Sequence, residues 1–279
     1  MTLLPAPTID HVVVNVRDRM DEAVAIYRRL GFHMTPRGFH TLGSVNHLAI
    51  FGTDYLELIG VPSLDTRRGD ILQFPIGLNG LVFATENADA TFAQLKAAGV
   101  PIEPGRSFSR PVETGDGTRD AAFRTVGLTP GVVPAGRLYF CQHFTRDLVW
   151  REEWRRHPNG VVGVQGAAIA SAAPAVLGTL LAAMFGAAAV HPIAGGVRLV
   201  VGLASIDVVT PDEVARRFGD AAPGGDGRAD YMAALSLRTR GLAQASAALE
   251  AGGIESVRTP ERIVVSAGRT MGLALEFLA

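Results

Sequence analysis

His11 and Glu57 are the two residues whose type and setting stand out as chemically useful. His11 lies in the run Ile9-Asp10-His11-Val12-Val13-Val14-Asn15-Val16. Glu57 lies in Tyr55-Leu56-Glu57-Leu58-Ile59. Both runs are apolar and of strand length. Alternation places His11, Val13 and Asn15 on one strand face and Val12, Val14 and Val16 on the other. An imidazole and a carboxylate meeting across a curved sheet are a start on a divalent metal site. Burying a lone carboxylate is costly, so Glu57 calls for a metal, an arginine or a proton. The alternative for His11 is a hydrogen-bonded core histidine.

His143 is the best third ligand by type and place, on one face with Cys141 and Tyr139. Gln142 would take that place after a one-residue slip. Two histidines and a carboxylate form the facial arrangement of iron(II) oxygenases, and zinc or manganese Lewis-acid sites use similar donors. Such a metal, whether iron, zinc, manganese or nickel, would chelate two adjacent substrate oxygens and polarise a carbonyl or stabilise an enediolate. The base would be Glu57 itself or His47 on the preceding strand; His47 reads equally as a polar edge residue. Cys141 reads as a small buried residue rather than a nucleophile. His33 and His40 flank a turn and read as solvated. His157 and His191 each precede a proline and read as loop residues. Lys96 is the single lysine and sits on a helix face, which argues against Schiff-base chemistry.

The elements that would position these groups repeat. Each unit opens with a strand, passes through an amphipathic helix ending near a glycine, and returns through shorter strands. The helix ends carry Gly31, Gly99, Gly186 and Gly252-Gly253, suited to the left-handed residue that stops a helix. Asp18 and Asp89 precede the first two helices, where an aspartate caps or complements the N-terminus. Opening strands fall at 10–16, 81–84, 164–170 and 233–237, and closing strands at 55–59, 138–143, 202–209 and 272–278. The expectation is an α+β protein of four βαβββ units in two halves, 1–160 and 161–279, forming two curved mixed sheets. Residues 144–160 carry both tryptophans and read as a short surface helix or lid, or as a linker between halves.

Bulk properties narrow the classes. The chain has 279 residues, 48% hydrophobic and 19% charged, with a net charge of −1, so it is globular and lacks the basic face of a nucleic-acid binder. The uncharged stretch 161–190 is broken by Gly and Pro and reads as a buried strand and helix, not a membrane span. One cysteine and an N-terminus without a basic start fit a reducing cytoplasm. The partner is a small-molecule substrate, with no nucleic acid and no membrane. A homodimer through the Ala/Gly-rich helix at 175–189 is a further expectation.

These residues carry a resemblance. Asp10-His11-Val12-Val13, Leu30-Gly31-Phe32, Asn46-His47, Tyr55-Leu56-Glu57-Leu58, and Tyr139-Phe140-Cys141-Gln142-His143 with His157-Pro158-Asn159-Gly160 resemble the vicinal oxygen chelate superfamily, nearest its glyoxalase-like domain branch. The superfamily includes glyoxalase I, extradiol dioxygenases and fosfomycin- and bleomycin-resistance proteins. The likeness is good over 8–165 and weak over 166–279. It implies paired units curled into a cup, with metal ligands from first and last strands: His11 and Glu57 in unit one. Unit two departs from the pattern, with Gly80-Leu81-Val82-Phe83 at its first strand. Unit three offers only Asp207. Glu276 matches the last-strand position of unit four, and would approach His11 if unit one paired with unit four. The implied function is a metal-dependent lyase, isomerase or dioxygenase acting on a small oxygenated metabolite. The alternative is a metal-free cup that sequesters a hydrophobic ligand.

Overall fold

The computed structural model describes residues 8–66 and 68–279; the N-terminal segment 1–7 used above to judge targeting lies outside them. The first half runs β1 (Ile9–Arg17), α1 (Met20–Arg29), β2 (Gly38–Phe39), β3 (Val45–Ile50), β4 (Tyr55–Gly60), the single turn α2 (Gly69–Leu72), β5 (Gly77–Ala84), α3 (Ala88–Ala97), β6 (Arg106–Thr114), β7 (Gly117–Gly127) and β8 (Arg137–His143). The second runs β9 (Val161–Ala170), α4 (Pro174–Phe185), β10 (Val190–Ile193), β11 (Gly196–Val201), β12 (Ala204–Val209), α5 (Pro211–Phe218), β13 (Tyr231–Thr239), α6 (Leu242–Ala251), β14 (Val257–Arg258), β15 (Arg262–Val265) and β16 (Ala274–Leu278). The fold is α+β, with two eight-stranded mixed sheets ordered β2-β3-β4-β1-β5-β8-β7-β6 and β10-β11-β12-β9-β13-β16-β15-β14. In each, a first strand is parallel to its unit's last strand, β1 with β4 and β5 with β8, and the two units join where β1 runs antiparallel to β5. Unit one therefore pairs with unit two, and unit three with unit four through β9 and β13. Glu276 belongs to the second sheet and does not approach His11.

Alternation sorts the first sheet as its sequence implies. Val12, Val14 and Val16 face the large core shared with α1, α4, α6 and the second sheet, while Val13 faces a second apolar cluster inside the first sheet's curve. The shared core is aromatic where the halves meet: Phe32 stacks near Phe277 at 6.4 Å between ring centroids, and Phe83 lies 4.7 Å from Phe185. Polar links reinforce it, as when Arg29 donates to the Gly252 and Gly253 carbonyls.

Helix stops follow the glycines. Gly31, Gly99 and Gly253 have φ of +85°, +75° and +64°, and the amide one residue on donates back to Tyr27, Leu95 and Leu249, closing the helix end. The helix expected over 175–189 is shorter: Gly186 stops α4 at Phe185, and a 3-10 turn follows. The aspartate caps are also corrected. Asp18 makes no cap; Asn87 caps α3 by accepting from the Ala90 amide, while Asp89 lies in the first turn, where it complements the helix N-terminus as expected and pairs with Arg124. Pro174 starts α4, so the uncharged stretch is a strand plus a 12-residue helix with one solvent face. Among the described residues no helix is long and apolar enough to cross a membrane.

One buried acid joins the halves. Asp54, in the β3–β4 turn, accepts from the Val164 amide of β9 at 2.8 Å. Burial pushes its carboxyl up to about 6, against the pull of the Val164 N–H and Arg238. A raised folded-state value means that the folded protein holds the proton between pH 4 and 6 while the unfolded chain has lost it. Asp54 therefore costs stability increasingly as pH rises through that window. Asp54→Asn, which keeps an acceptor for Val164 without the charge, is expected to stabilise the protein at pH 8 by up to about 2–3 kcal/mol and by much less at pH 4.5. Thermal melts of both proteins at the two pH values check this.

Candidate active site

The site begins with an irregularity in β1. The β1–β5 register shifts between Ile9 and His11, so Asp10 is an extra residue in the ladder. Such a bulge re-aims a side chain, and here consecutive residues meet: Asp10 Oδ2 lies 2.6 Å from His11 Nδ1. The same oxygen lies 2.9 Å from His143 Nε2. Burial works against the Asp10 charge, yet the hydrogen bonds from His11 and His143 outweigh it and hold the carboxyl well below the usual range. An ionised Asp10 accepts only, so His11 donates through Nδ1–H, which directs Nε2 away from Asp10.

That Nε2 points into the cup. Glu57 Oε2 is 3.7 Å away and the Tyr139 hydroxyl 3.4 Å away. The Tyr55 ring stacks on the imidazole at 4.4 Å and 10°, fixing its plane. Glu57 is 6% exposed. Its Oε1 accepts from Asn46 Nδ2 at 2.6 Å, and His40 Nε2 stands 4.0 Å off. Burial is the main influence on both tyrosines and raises their pKa values, so they remain donors.

The cup is nearly closed. The edges of the sheet meet where the Thr41 amide donates to Ser109 and the Ser109 amide to the Thr41 hydroxyl. The cavity within the curve opens to solvent and measures about 870 Å³, with His11, Glu57, Asn46, Tyr139 and Cys141 among its lining residues and Phe108 and Phe123 among its apolar ones. Burial pushes the Cys141 thiol up, which suits a packed side chain rather than a nucleophile.

The expected residues separate. His11 and Glu57 meet as neighbours across β1 and β4. His143 does not reach the same point: it bonds Asp10 from the Nδ1 side of His11 and is absent from the cavity wall. Among the described residues, the His, Cys, Asp and Glu group converging within 4.8 Å is Asp10, Cys141 and His143. His47 lies on the opposite face of β3, with Nδ1 2.7 Å from the Thr35 carbonyl and Nε2 beside Arg37, so it does not reach the cup. Gln142 also points away, accepting from the Ala88 amide at the start of α3. Glu276 is held by Arg262 at 2.8 Å and Ser236 at 2.5 Å.

Several contributors escape a reading of spacing. His40, expected to be solvated, lines the cup with a side chain 7% exposed, and burial lowers its pKa to about 4. Its one sequence signal is Ser44 and Asn46 close behind, both of which it contacts. His157, expected in a loop, is buried there; it accepts from the His33 amide and donates to the Ile50 carbonyl. The 144–160 segment forms two 3-10 turns, Arg146–Leu148 and Glu152–Trp154. Its Trp150 packs edge-on against Tyr55 and His143, with Arg146 over the indole at 3.5 Å.

Unit two explains the asymmetry of the floor. Val13 faces Glu57 across β1–β4, and Val82 faces Tyr139 across β5–β8. Two residues before these valines stand His11 and Gly80. Gly80 and Tyr139 thus occupy the places of His11 and Glu57.

Comparison with known proteins agrees with this architecture. A hypothetical protein from Staphylococcus aureus superposes with a TM-score of 0.67 at 10% identity, over 97% of this chain and 98% of that one. A mutant of 4-hydroxymandelate synthase from Streptomyces coelicolor gives 0.59 at 14% identity, over 98% and 92%. A xylose isomerase-like TIM barrel/4-hydroxyphenylpyruvate dioxygenase fusion protein gives 0.59 at 10% identity, over 99% of this chain and 49% of that one. At such identities the likeness is one of fold. No curated protein sequence matches the chain. The sequence model of the glyoxalase-like domain family matches residues 9–185, well over half the chain. With its paired βαβββ units and cupped sheets, the chain belongs to the glyoxalase-like domain family of the vicinal oxygen chelate superfamily.

Proposed function

We propose that the first-sheet cup is the active site of a metal-dependent enzyme acting on a small oxygenated metabolite, with His11 and Glu57 holding a divalent cation. The observation that carries this reading is the state of Glu57. It is buried, it faces His11 Nε2 at 3.7 Å, and among the described residues no arginine or lysine pairs with it. The buried carboxylates at the matching places of the second sheet both have arginine partners: Asp207 with Arg198 and Arg217, Glu276 with Arg262. A carboxylate and an imidazole set this way fit two ligand positions for zinc, manganese, iron or nickel. The bound cation would supply Lewis-acid polarisation of the substrate's oxygens.

The chain's own groups do the rest. Asp10 fixes the His11 tautomer and ring direction, as a carboxylate behind a ligating histidine does. The Asn46 amide holds Oε1 of Glu57, which leaves Oε2, 3.7 Å from His11 Nε2, as the oxygen directed at the cation. The Tyr139 hydroxyl donates to an oxygen placed beside His11. Phe108, Phe123 and Leu48 keep water from the reacting atoms. His143 acts through Asp10 rather than as a ligand. The synthase and dioxygenase names among the structural neighbours support an enzyme and leave lyase, isomerase and dioxygenase chemistry open. The second reading, a metal-free binding cup, is favoured by Gly80 and Tyr139, which leave two of four ligand places without a strong donor.

Elemental analysis of protein purified without chelator separates the two. The expected result is about one metal per chain, lost in His11→Ala and Glu57→Ala while circular dichroism is unchanged. No metal, and no uptake of added iron, zinc, manganese or nickel, would leave the binding cup. Asp10→Ala strips two buried imidazoles of their acceptor, so it is expected to lower unfolding stability by about 2–4 kcal/mol in urea titrations. It should also weaken metal retention by about 10- to 100-fold. Unchanged stability would deny Asp10 this role.

A further inference from the structure

The cup holds a cation without a partner. Arg110, on β6, is 8% exposed and lines the cavity. Among the described residues its guanidinium makes no hydrogen bond and no ion pair; Tyr55 and Glu57 act on it only through space. The other arginines of the wall differ. Arg68 is paired with Asp70 and bonds Ser44. Arg137 donates to Asn79 and lies 3.8 Å from Asp70, and Arg106 stands exposed at the rim. Burying an unpaired charge is costly, so a guanidinium held this way is a site waiting for an anion.

The surroundings keep Arg110 available. A Cβ on Gly38 would come within 3.1 Å of Arg110 Cδ, 3.3 Å of its Nη1 and 2.3 Å of Asn46 Oδ1, so the glycine leaves room for both side chains. Asn46 in turn donates to Oε1 of Glu57, and among the described residues Glu57 makes no ion pair with the arginine. Phe108, two residues earlier on the same strand face, stacks with Phe123 at 5.1 Å and gives the cavity an apolar wall beside the guanidinium.

We propose that Arg110 is the anion-binding residue of the cup and that its ligand is a small organic monocarboxylate with an apolar body. A single planar guanidinium matches one carboxylate in charge and in its two parallel N–H donors, and the phenylalanine wall takes the remainder. That this ligand is the substrate rests on the metalloenzyme reading above; that the cup binds a carboxylate does not.

The test is calorimetric titration of the full chain with 3-phenylpropanoate, 3-phenylpropanamide and phenyl phosphate, each with and without EDTA. The acid is expected to bind about 10-fold or more tighter than the amide. Arg110→Met should reduce the acid to the amide's affinity, and Arg240→Met, an exposed arginine of the second half, should leave both within about twofold. Arg110→Gln serves by the same criterion where Arg110→Met loses its circular dichroism. The preference is expected to persist in EDTA and in Glu57→Gln, which keeps this result independent of the metal. Equal affinity for acid and amide, no binding of either at millimolar concentration, or a preference that survives loss of Arg110 would overturn the proposal. So would a preference abolished by EDTA, or phenyl phosphate binding tighter than the acid.

Discussion

The buried carboxylate of Asp10 is the constraint on which the site depends. It is 1% exposed and ionised, and the two imidazoles that bond it have buried side chains. A charge in that position must be met by strong donors or not carried at all. The bulge in β1 brings His11 to it from the same strand, and β8 brings His143 from across the sheet. These two hydrogen bonds weld β1 to β8 through side chains as well as through β5 between them. They also dictate what packs outside. Trp150 covers His143, Arg146 covers Trp150, and Arg146 Nη1 stands 3.8 Å from Asp10 Oδ1. The 144–160 segment is thus part of the site's support.

The two sheets form an internal comparison. Both curve, both are built from paired units, and both bury carboxylates at closing strands. In the second sheet the charge is settled within the protein. Arg217 of α5 donates to Asp207, its carbonyl accepts from Arg262, and Arg262 also holds Glu276. The face itself is filled, because Phe218 at the end of α5 packs on Ala168, Ala234 and Ala274. In the first sheet, among the described residues, no arginine pairs with Glu57, which faces a cavity instead. One architecture therefore supports a neutralised, occupied face and an open, charged one, and the difference lies in a helix and three arginines.

The fold was legible because its signals are local. Apolar strands of fixed period and glycine stops survive in sequence whatever packs around them, and β1, β4, α1 and α6 lie where those signals put them. His11 and Glu57 were legible for a related reason: first and last strands of one unit are neighbours. What failed depends on details that spacing does not encode. A bulge turns Asp10 to the side of His11 against strict alternation. The burial of His40 exists only because β6 closes against the β2–β3 turn, a contact between residues 68 positions apart. His47 and Asn46 are adjacent, and the phase of one short strand decides which enters the cup. Arg110 lies in a mostly polar strand, Arg-Ser-Phe-Ser-Arg-Pro-Val-Glu-Thr, so its burial is a property of closure and not of composition.

The separation of Glu57 from Arg110 is the last step in this logic. Opposite charges in one low-dielectric cavity attract strongly, and direct pairing would satisfy both while leaving the cup inert. The structure gives each of them other neighbours. Asn46 takes one carboxylate oxygen, His11 faces the other, and Gly38 gives Arg110 a place beside Asn46. Each charged group is thereby buried without being spent on the other. A cavity so arranged has polarity along its length: a floor with a carboxylate and an imidazole, a guanidinium on the wall, and phenylalanines beside it. On the proposed reading, a ligand with one anionic end and one oxygenated reacting end would be oriented by that polarity before any chemistry began.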